Sequence, residues 1–238
     1  YIVCKNLSQK MLHGKDFVLK PNGIHHQQGS TSMLKFNKFI EHPNCGTTDC
    51  CMKCDTAVTE EKDGRLNESA LQALRVATAA HSGQSRKSGG DYINHPKEVA
   101  RFVKQFKKSN NLTALIQAAY LHDTLEDTDT TYADLVKQFG ALVADMVQAL
   151  TTDKEASDAI GKGEYIANKM AKMSSWALVV KLADRLANVQ DIDTRPADFQ
   201  KRYADQTRLA LARLRKDRYL SKTHNKIMSA IEKKIKEY

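Results

Sequence analysis

Cysteine is absent from residues 55–238; all five Cys lie in the first 54 positions. The larger part of the chain therefore uses no disulfides, which excludes a disulfide-stapled scaffold and fits a reducing cytoplasm. No run of about 18 apolar residues occurs, so no transmembrane helix is expected. The apolar start Tyr1-Ile2-Val3-Cys4 ends at Lys5, too short for a secretory signal. Proline and glycine are sparse, at 4 and 11 residues in 238, and β-branched runs are few. That scarcity disfavours turn-rich β architectures and predicts a helical protein. The chain opens on Tyr1 rather than Met, which reads as a fragment, a processed product or an over-extended reading frame, with Met33 as a natural start.

The net charge of +9 is unevenly spread. Residues 1–66 hold 9 Lys/Arg against 7 Asp/Glu, residues 67–200 hold 16 against 17, and residues 201–238 hold 12 against 4. The basic excess belongs to the C-terminal segment. Such an end attracts a phosphate-rich partner, although a solvated helix face has the same composition. A nucleic-acid partner is therefore conceivable but not favoured. No membrane partner is expected, and the oligomeric state stays open.

Two regions differ in character. Residues 1–66 combine Gly29-Ser30-Thr31-Ser32, His25-His26 and the Cys cluster with weak hydrophobic periodicity. They read as an irregular extension, with one short helix near Leu34–Glu41. From Asn67 the helical period takes over and a second region, 67–238, begins. Leu71, Leu74, Thr78 and His81 recur at three- and four-residue spacing. A Gly/Ser-rich basic loop, 82–93, follows, and Pro96 opens the next helix. Residues 113–125 are apolar on nearly every side, the mark of a central helix. Asp129-Thr130-Thr131 offer N-cap groups for a helix carrying Leu135, Phe139, Leu142, Met146 and Leu150. Further helices are predicted near 163–173, 175–190, 199–218 and 223–236. The expected fold is an all-α bundle of seven to nine helices.

The chemistry concentrates in three short segments. His122-Asp123 ends the most apolar helix, and Glu126-Asp127 follow at i+4 from each, so each pair shares a helix face. Burying that much negative charge without a counterion would cost several kcal/mol. A divalent cation is the natural counterion. Asn94-His95-Pro96 places a His at a helix start, and Asp184 sits on an apolar helix with Asn188 on the same face. Two His and two Asp make a mixed nitrogen–oxygen donor set, suited to Mn²⁺ or a related first-row ion.

The words Asp91-Tyr92-Ile93-Asn94-His95-Pro96, Leu121-His122-Asp123-Thr124-Leu125-Glu126-Asp127-Thr128 and Val180-Lys181-Leu182-Ala183-Asp184-Arg185-Leu186-Ala187-Asn188 resemble the signature blocks of the RelA/SpoT hydrolase domain. They also resemble its free-standing relatives, the small alarmone hydrolases. The resemblance covers about residues 67–220 and implies an HD-type metal phosphohydrolase of the stringent response. It implies removal of the 3′-pyrophosphate of guanosine tetra- or pentaphosphate (ppGpp or pppGpp), giving GDP or GTP and pyrophosphate. By it, His95, His122, Asp123 and Asp184 are metal ligands, with Mn²⁺ as the usual ion. Glu126 and Asp127 orient or deprotonate the attacking water. Arg86 and Lys87 line the nucleotide site and offset pyrophosphate charge, in a basic loop shortened here to Ser85-Arg86-Lys87-Ser88-Gly89-Gly90. Tyr92 and Asn188 lie near base or ribose. Contacts are not carried onto Tyr203 or Thr207. Nothing after the helical region is long enough for the family's synthetase domain, so the chain reads as hydrolase only.

Two other readings stay open. The same fold could act on NADPH or on 3′-pyrophosphorylated tRNA ends. Alternatively, it could serve as a non-enzymatic, antitoxin-like module that binds a nucleotide or a partner; the full set of acidic and imidazole groups argues against that. The Cys cluster invites a structural Zn²⁺ through His42, Cys45, Cys50 or Cys51, and Cys54. A single Cys-x-x-Cys pair falls short of the usual two, so incidental or redox-labile thiols are the preferred reading.

Overall fold

Local signals start most of the helices, and burial of their apolar faces assembles them. The computed structural model describes residues 67–238 other than Ser88. The expected helix near Leu34–Glu41 and the Cys cluster lie outside the described residues.

Helix α1 (Glu68–Ala80) begins where Asn67 Oδ1 accepts from the Ala70 amide at 2.9 Å. Helix α2 (Asn94–Phe106) holds Pro96 in its first turn, where the missing N–H leaves no intrahelical bond unmade. Helix α3 (Leu112–Leu121) buries every residue from Leu115 to Leu121. The helix expected over 113–125 breaks at His122 and Asp123 and resumes as the single turn α4 (Thr124–Asp127). Thr131 caps α5 (Tyr132–Phe139) in a reciprocal box with Asp134.

The stripe expected from Leu135 to Leu150 is also divided. Gly140, at φ +82°, ends α5 and starts α6 (Ala141–Leu150). That conformation is open to glycine and strained for most other residues. The redirection leaves Leu142 45% exposed, while Leu135, Met146 and Leu150 remain in the core.

Helices α7 (Lys154–Ile160), α8 (Lys162–Lys172) and α9 (Ser175–Gln190) follow. A 3-10 turn at Ile192–Thr194 leads to α10 (Ala197–Asp217), and α11 (Lys222–Ile235) closes the described chain. Nine of these helices have eight residues or more, and no strand occurs among the described residues. An isolated antiparallel bridge, Ser85 to Asp91, closes the loop before α2 on itself.

Helix α9 is the axis of the bundle. Eleven of its sixteen residues are buried, and it packs on α2, α3, α6 and α11. Helix α3 lies against α1, α2 and α6, and α10 lies along α8. A helix buried on every side must satisfy any polar group it carries. Asp184 and Arg185, both on α9 and both buried, are therefore the informative residues of this core.

Candidate metal centre

Three elements deliver the buried imidazoles and carboxylates to one place. His95 stands in the first turn of α2, His122 follows the last turn of α3, and Asp184 lies mid-way along α9. One ligand atom from each lies within 4.8 Å of the other two. His95 Nε2 is 3.1 Å from Asp184 Oδ1, and His122 Nε2 is 3.8 Å from that oxygen. The two imidazole rings meet edge-on, 5.2 Å between centroids. Asp123 joins through His122, with its Oδ2 2.9 Å from His122 Nε2.

The hydrogen-bond arrangement fits a cation. His122 Nδ1 donates to the Ala119 carbonyl at 2.9 Å, which leaves Nε2 as the lone-pair nitrogen of the neutral ring. That Nε2 is buried and makes no hydrogen bond of acceptable geometry, although Asp123 is close. A lone-pair nitrogen left without a donor, beside a carboxylate oxygen, is a group that can serve as a metal ligand. Asp184 is braced on both oxygens: Asn188 Nδ2 donates to Oδ1 at 2.7 Å and Lys181 Nζ to Oδ2 at 3.0 Å. His95, His122, Asp184 and the adjoining Asp123 thus form a nitrogen–oxygen set of the kind favoured by first-row divalent ions.

Without a metal, protons and lysine balance the acids. Burial alone would depress the His122 pKa, yet Asp123, Asp184 and the Ala119 carbonyl carry it up to about 9. Burial works against the Asp123 carboxylate, but His122 brings it down to about 2. Asp184 resists burial in the same way through Lys181, His95 and His122 and stays well below the ordinary carboxylate range.

Glu126 and Asp127 border this cluster on α4. Glu126 Oε2 accepts from the Thr152 amide at 2.8 Å. Burial, then the charges of Asp123 and Glu126, push the Asp127 carboxyl above its usual value. Tyr92 donates its hydroxyl to Asp123 Oδ2. Burial and the Asp123 charge hold that hydroxyl far above the ordinary tyrosine range, so it remains a donor. Arg86 donates to Asp191 Oδ2 at 2.8 Å and to Asn188 Oδ1 at 3.3 Å, which ties the loop before α2 to the end of α9.

A cavity of about 390 Å³ opens over these groups. Asp123, Glu126, Asp127 and Asp184 share its wall with Arg86, Lys87, Lys162, Lys169, Lys181, Arg185 and Arg195. Of these cations, Arg86 and Lys87 are the two that the family resemblance implies. Lys181 was legible in principle, since i and i+3 share a helix face and Asp184 follows it by three. The lysines of α8 carry no such signal, because only tertiary packing brings them to the cleft. Phe199 and Tyr203 also line the cavity, stacked at 5.6 Å, with the buried Arg185 guanidinium 4.6 Å from the Tyr203 ring.

A helical bundle that gathers imidazoles and carboxylates beneath a basic cleft has the design of the HD-type metal phosphohydrolases. The family model for the HD domain matches residues 73–218, and the chain belongs to that family. It is 40% identical over 125 residues to the zebrafish (Danio rerio) guanosine-3′,5′-bis(diphosphate) 3′-pyrophosphohydrolase MESH1, covering 52% of this chain and 68% of that protein. Against the Escherichia coli bifunctional (p)ppGpp synthase/hydrolase SpoT it is 34% identical over 160 residues, covering 64% of this chain but only 21% of that protein. The fold is shared with the solved structure of a metazoan orthologue of SpoT that hydrolyses ppGpp. That match has a TM-score of 0.60 at 23% identity and covers 71% of this chain and 95% of the other.

Proposed function

We propose that residues 67–238 form a metal-dependent hydrolase that removes the 3′-pyrophosphate of guanosine tetra- or pentaphosphate, leaving GDP or GTP. The observation that carries this reading is one cavity that a buried two-His, one-Asp cluster reaches through His95 and Asp184, and that an acidic pair and a rim of cations also line. The similarity to pyrophosphohydrolases of that specificity supports it.

In this reading His95, His122, Asp123 and Asp184 hold one Mn²⁺. A bound divalent ion supplies Lewis acidity and lowers the pKa of water near it. Glu126 and Asp127 orient the attacking water and take its proton. Burial and the charges of Asp123 and Glu126 raise the Asp127 carboxyl, so that once ionised it is a stronger base than an ordinary aspartate. Attack at the phosphorus bonded to ribose O3′ breaks that P–O bond. The O3′ oxygen gains a proton and pyrophosphate departs. Arg86 and Lys87 offset the polyphosphate charge, and donors fixed before the reaction need no reorganisation during it. Tyr92 and Asn188 position the nucleoside. The cysteine-free sequence of residues 55–238 supports a cytoplasmic setting. No described helix is long and apolar enough to cross a membrane.

The test is a hydrolysis panel with Mn²⁺ present, offering guanosine tetraphosphate, NADPH and 3′-pyrophosphorylated tRNA. The expected outcome is release of pyrophosphate from guanosine tetraphosphate, abolished in Asp123→Asn. Turnover of NADPH or tRNA alone would transfer the reading to that substrate. Inertness toward all three would reject it.

A further inference from the structure

His81 and Gln84 lie outside the set of groups that meet substrate or cation, yet they are bonded to both halves of it. His81 follows the last turn of α1 and is 3% exposed. Its ring lies 4.6 Å from the ring of Tyr92. His81 Nδ1 is 2.8 Å from Gln84 Oε1, and Gln84 Nε2 donates to the Asp127 carbonyl at 2.9 Å.

These contacts fix each other's direction. A backbone carbonyl only accepts, so the Gln84 amide must turn its nitrogen toward Asp127 and its oxygen toward His81. His81 must then donate from Nδ1. Its Nε2 is buried and makes no hydrogen bond. The imidazole is thus held for one polar contact, at the expense of a second nitrogen left unmatched. Gln84 is engaged through its backbone as well, since its carbonyl accepts from the Tyr92 amide at 3.0 Å. A single residue therefore ties the loop carrying Tyr92 to the turn carrying Glu126 and Asp127.

We propose that His81 and Gln84 are positioning residues, a buried strut that sets the acidic turn and Tyr92 at the correct distance from the cation ligands. The inference rests on the hydrolase reading above. Their role is exerted through Asp127 and Tyr92, since neither residue lines the cavity. Glu126 and Asp127 occupy one turn of helix held by amides of residues 126–128. So short a turn has little stability of its own and depends on outside contacts. The Gln84 bond to the Asp127 carbonyl is such a contact.

The test uses the full chain with Gln84→Ala and, separately, His81→Phe. The phenylalanine keeps an aromatic ring against Tyr92 and removes both ring nitrogens, the Nδ1 donor and the unmatched Nε2. Three quantities are read: Mn²⁺ affinity by calorimetry, kcat and KM on guanosine tetraphosphate, and hydrogen exchange at the amides of Glu126, Asp127 and Thr128. Outer contacts to a metal site typically change activity by about 10–100-fold. Both variants are expected to lose kcat in that range, with a smaller rise in KM through Tyr92, while Mn²⁺ affinity stays within about threefold. Exchange at the three amides is expected to accelerate about tenfold or more, with α10 amides unchanged as the control for intact folding. Unchanged kcat and unchanged exchange in both variants would overturn the strut. So would a rise in KM or a loss of Mn²⁺ affinity as large as the fall in kcat. If the wild type fails to hydrolyse guanosine tetraphosphate, the hydrolase reading falls by itself. The strut is then judged on exchange, where acceleration supports it and no change rejects it.

Discussion

Lys181 Nζ lies 3.0 Å from Asp184 Oδ2, one helical turn before it on α9. Lysine and aspartate are both largely buried, so each is the other's compensation for lost hydration. Lys181→Met leaves the carboxylate without its fixed cation. Removal of one partner from a buried pair is strongly destabilising, and a loss of about 3 kcal/mol is expected in urea unfolding of the metal-free protein. Saturating Mn²⁺ should recover part of that loss, because an ion bound only by the folded state stabilises it.

The ion and a proton compete for His122. Its pKa in the folded, metal-free protein stands near 9, above the ordinary 6.5. A base held above its unfolded value contributes stability that is complete below pH 6.5 and disappears as pH climbs through 9. Asp123, brought from 3.8 to about 2, contributes stability present above 3.8 and lost as pH falls through 2. With respect to these two groups, the metal-free protein is most stable between those limits, from 3.8 to 6.5. Metal binding runs the other way, since a ligand imidazole must give up its proton. Mn²⁺ affinity should rise with pH until about 9 and then level off. Calorimetry near pH 7.5 in two buffers of different ionisation heat should show about one proton released per ion through His122.

Under the proposed function, Arg86 would act on substrate charge and not on the metal. It is anchored by Asp191 and Asn188 and lines the cleft beside the acidic pair. Arg86→Ala should raise KM for guanosine tetraphosphate about tenfold, the loss expected of one charge-assisted contact. Mn²⁺ affinity should be unchanged. The dependence of kcat/KM on ionic strength should weaken, since one attractive charge has left the cleft.

Leu182 reports on the axis that carries Asp184 and Asn188. It is fully buried on α9. Leu182→Ala removes packed methyl groups and leaves a void, with an expected loss of about 3 kcal/mol in urea unfolding at unchanged m-value.

The central helices were legible because α3 is apolar on nearly every side and α9 repeats apolar residues densely around its few polar ones, and no strand periodicity competes with them. Two breaks were not. Leu135 to Leu150 keeps an apolar rhythm through Gly140, and a rhythm does not register a change of chain direction. The end of α3 at His122 is similarly invisible, since His122 and Asp123 continue the helical spacing. At the site, three of the four ligand candidates, His95, His122 and Asp184, are gathered by the fold, with Asp123 adjoining. The lysines of α8 and the His81–Gln84 strut had no sequence signal, because each acquires its meaning from contacts across the fold. Gln84 meets Asp127 across 43 positions, and no local pattern encodes that meeting.

His95 and Asp184 are 89 positions apart and come from the opening turn of one helix and the middle of another. No short piece of this polypeptide holds both. A cation that needs them together can be captured only after α2, α3 and α9 have docked. Paramagnetic broadening or luminescence from a bound ion would therefore time the assembly of the whole bundle during refolding, and a chain cut between α3 and α9 would give no such signal until its halves recombined.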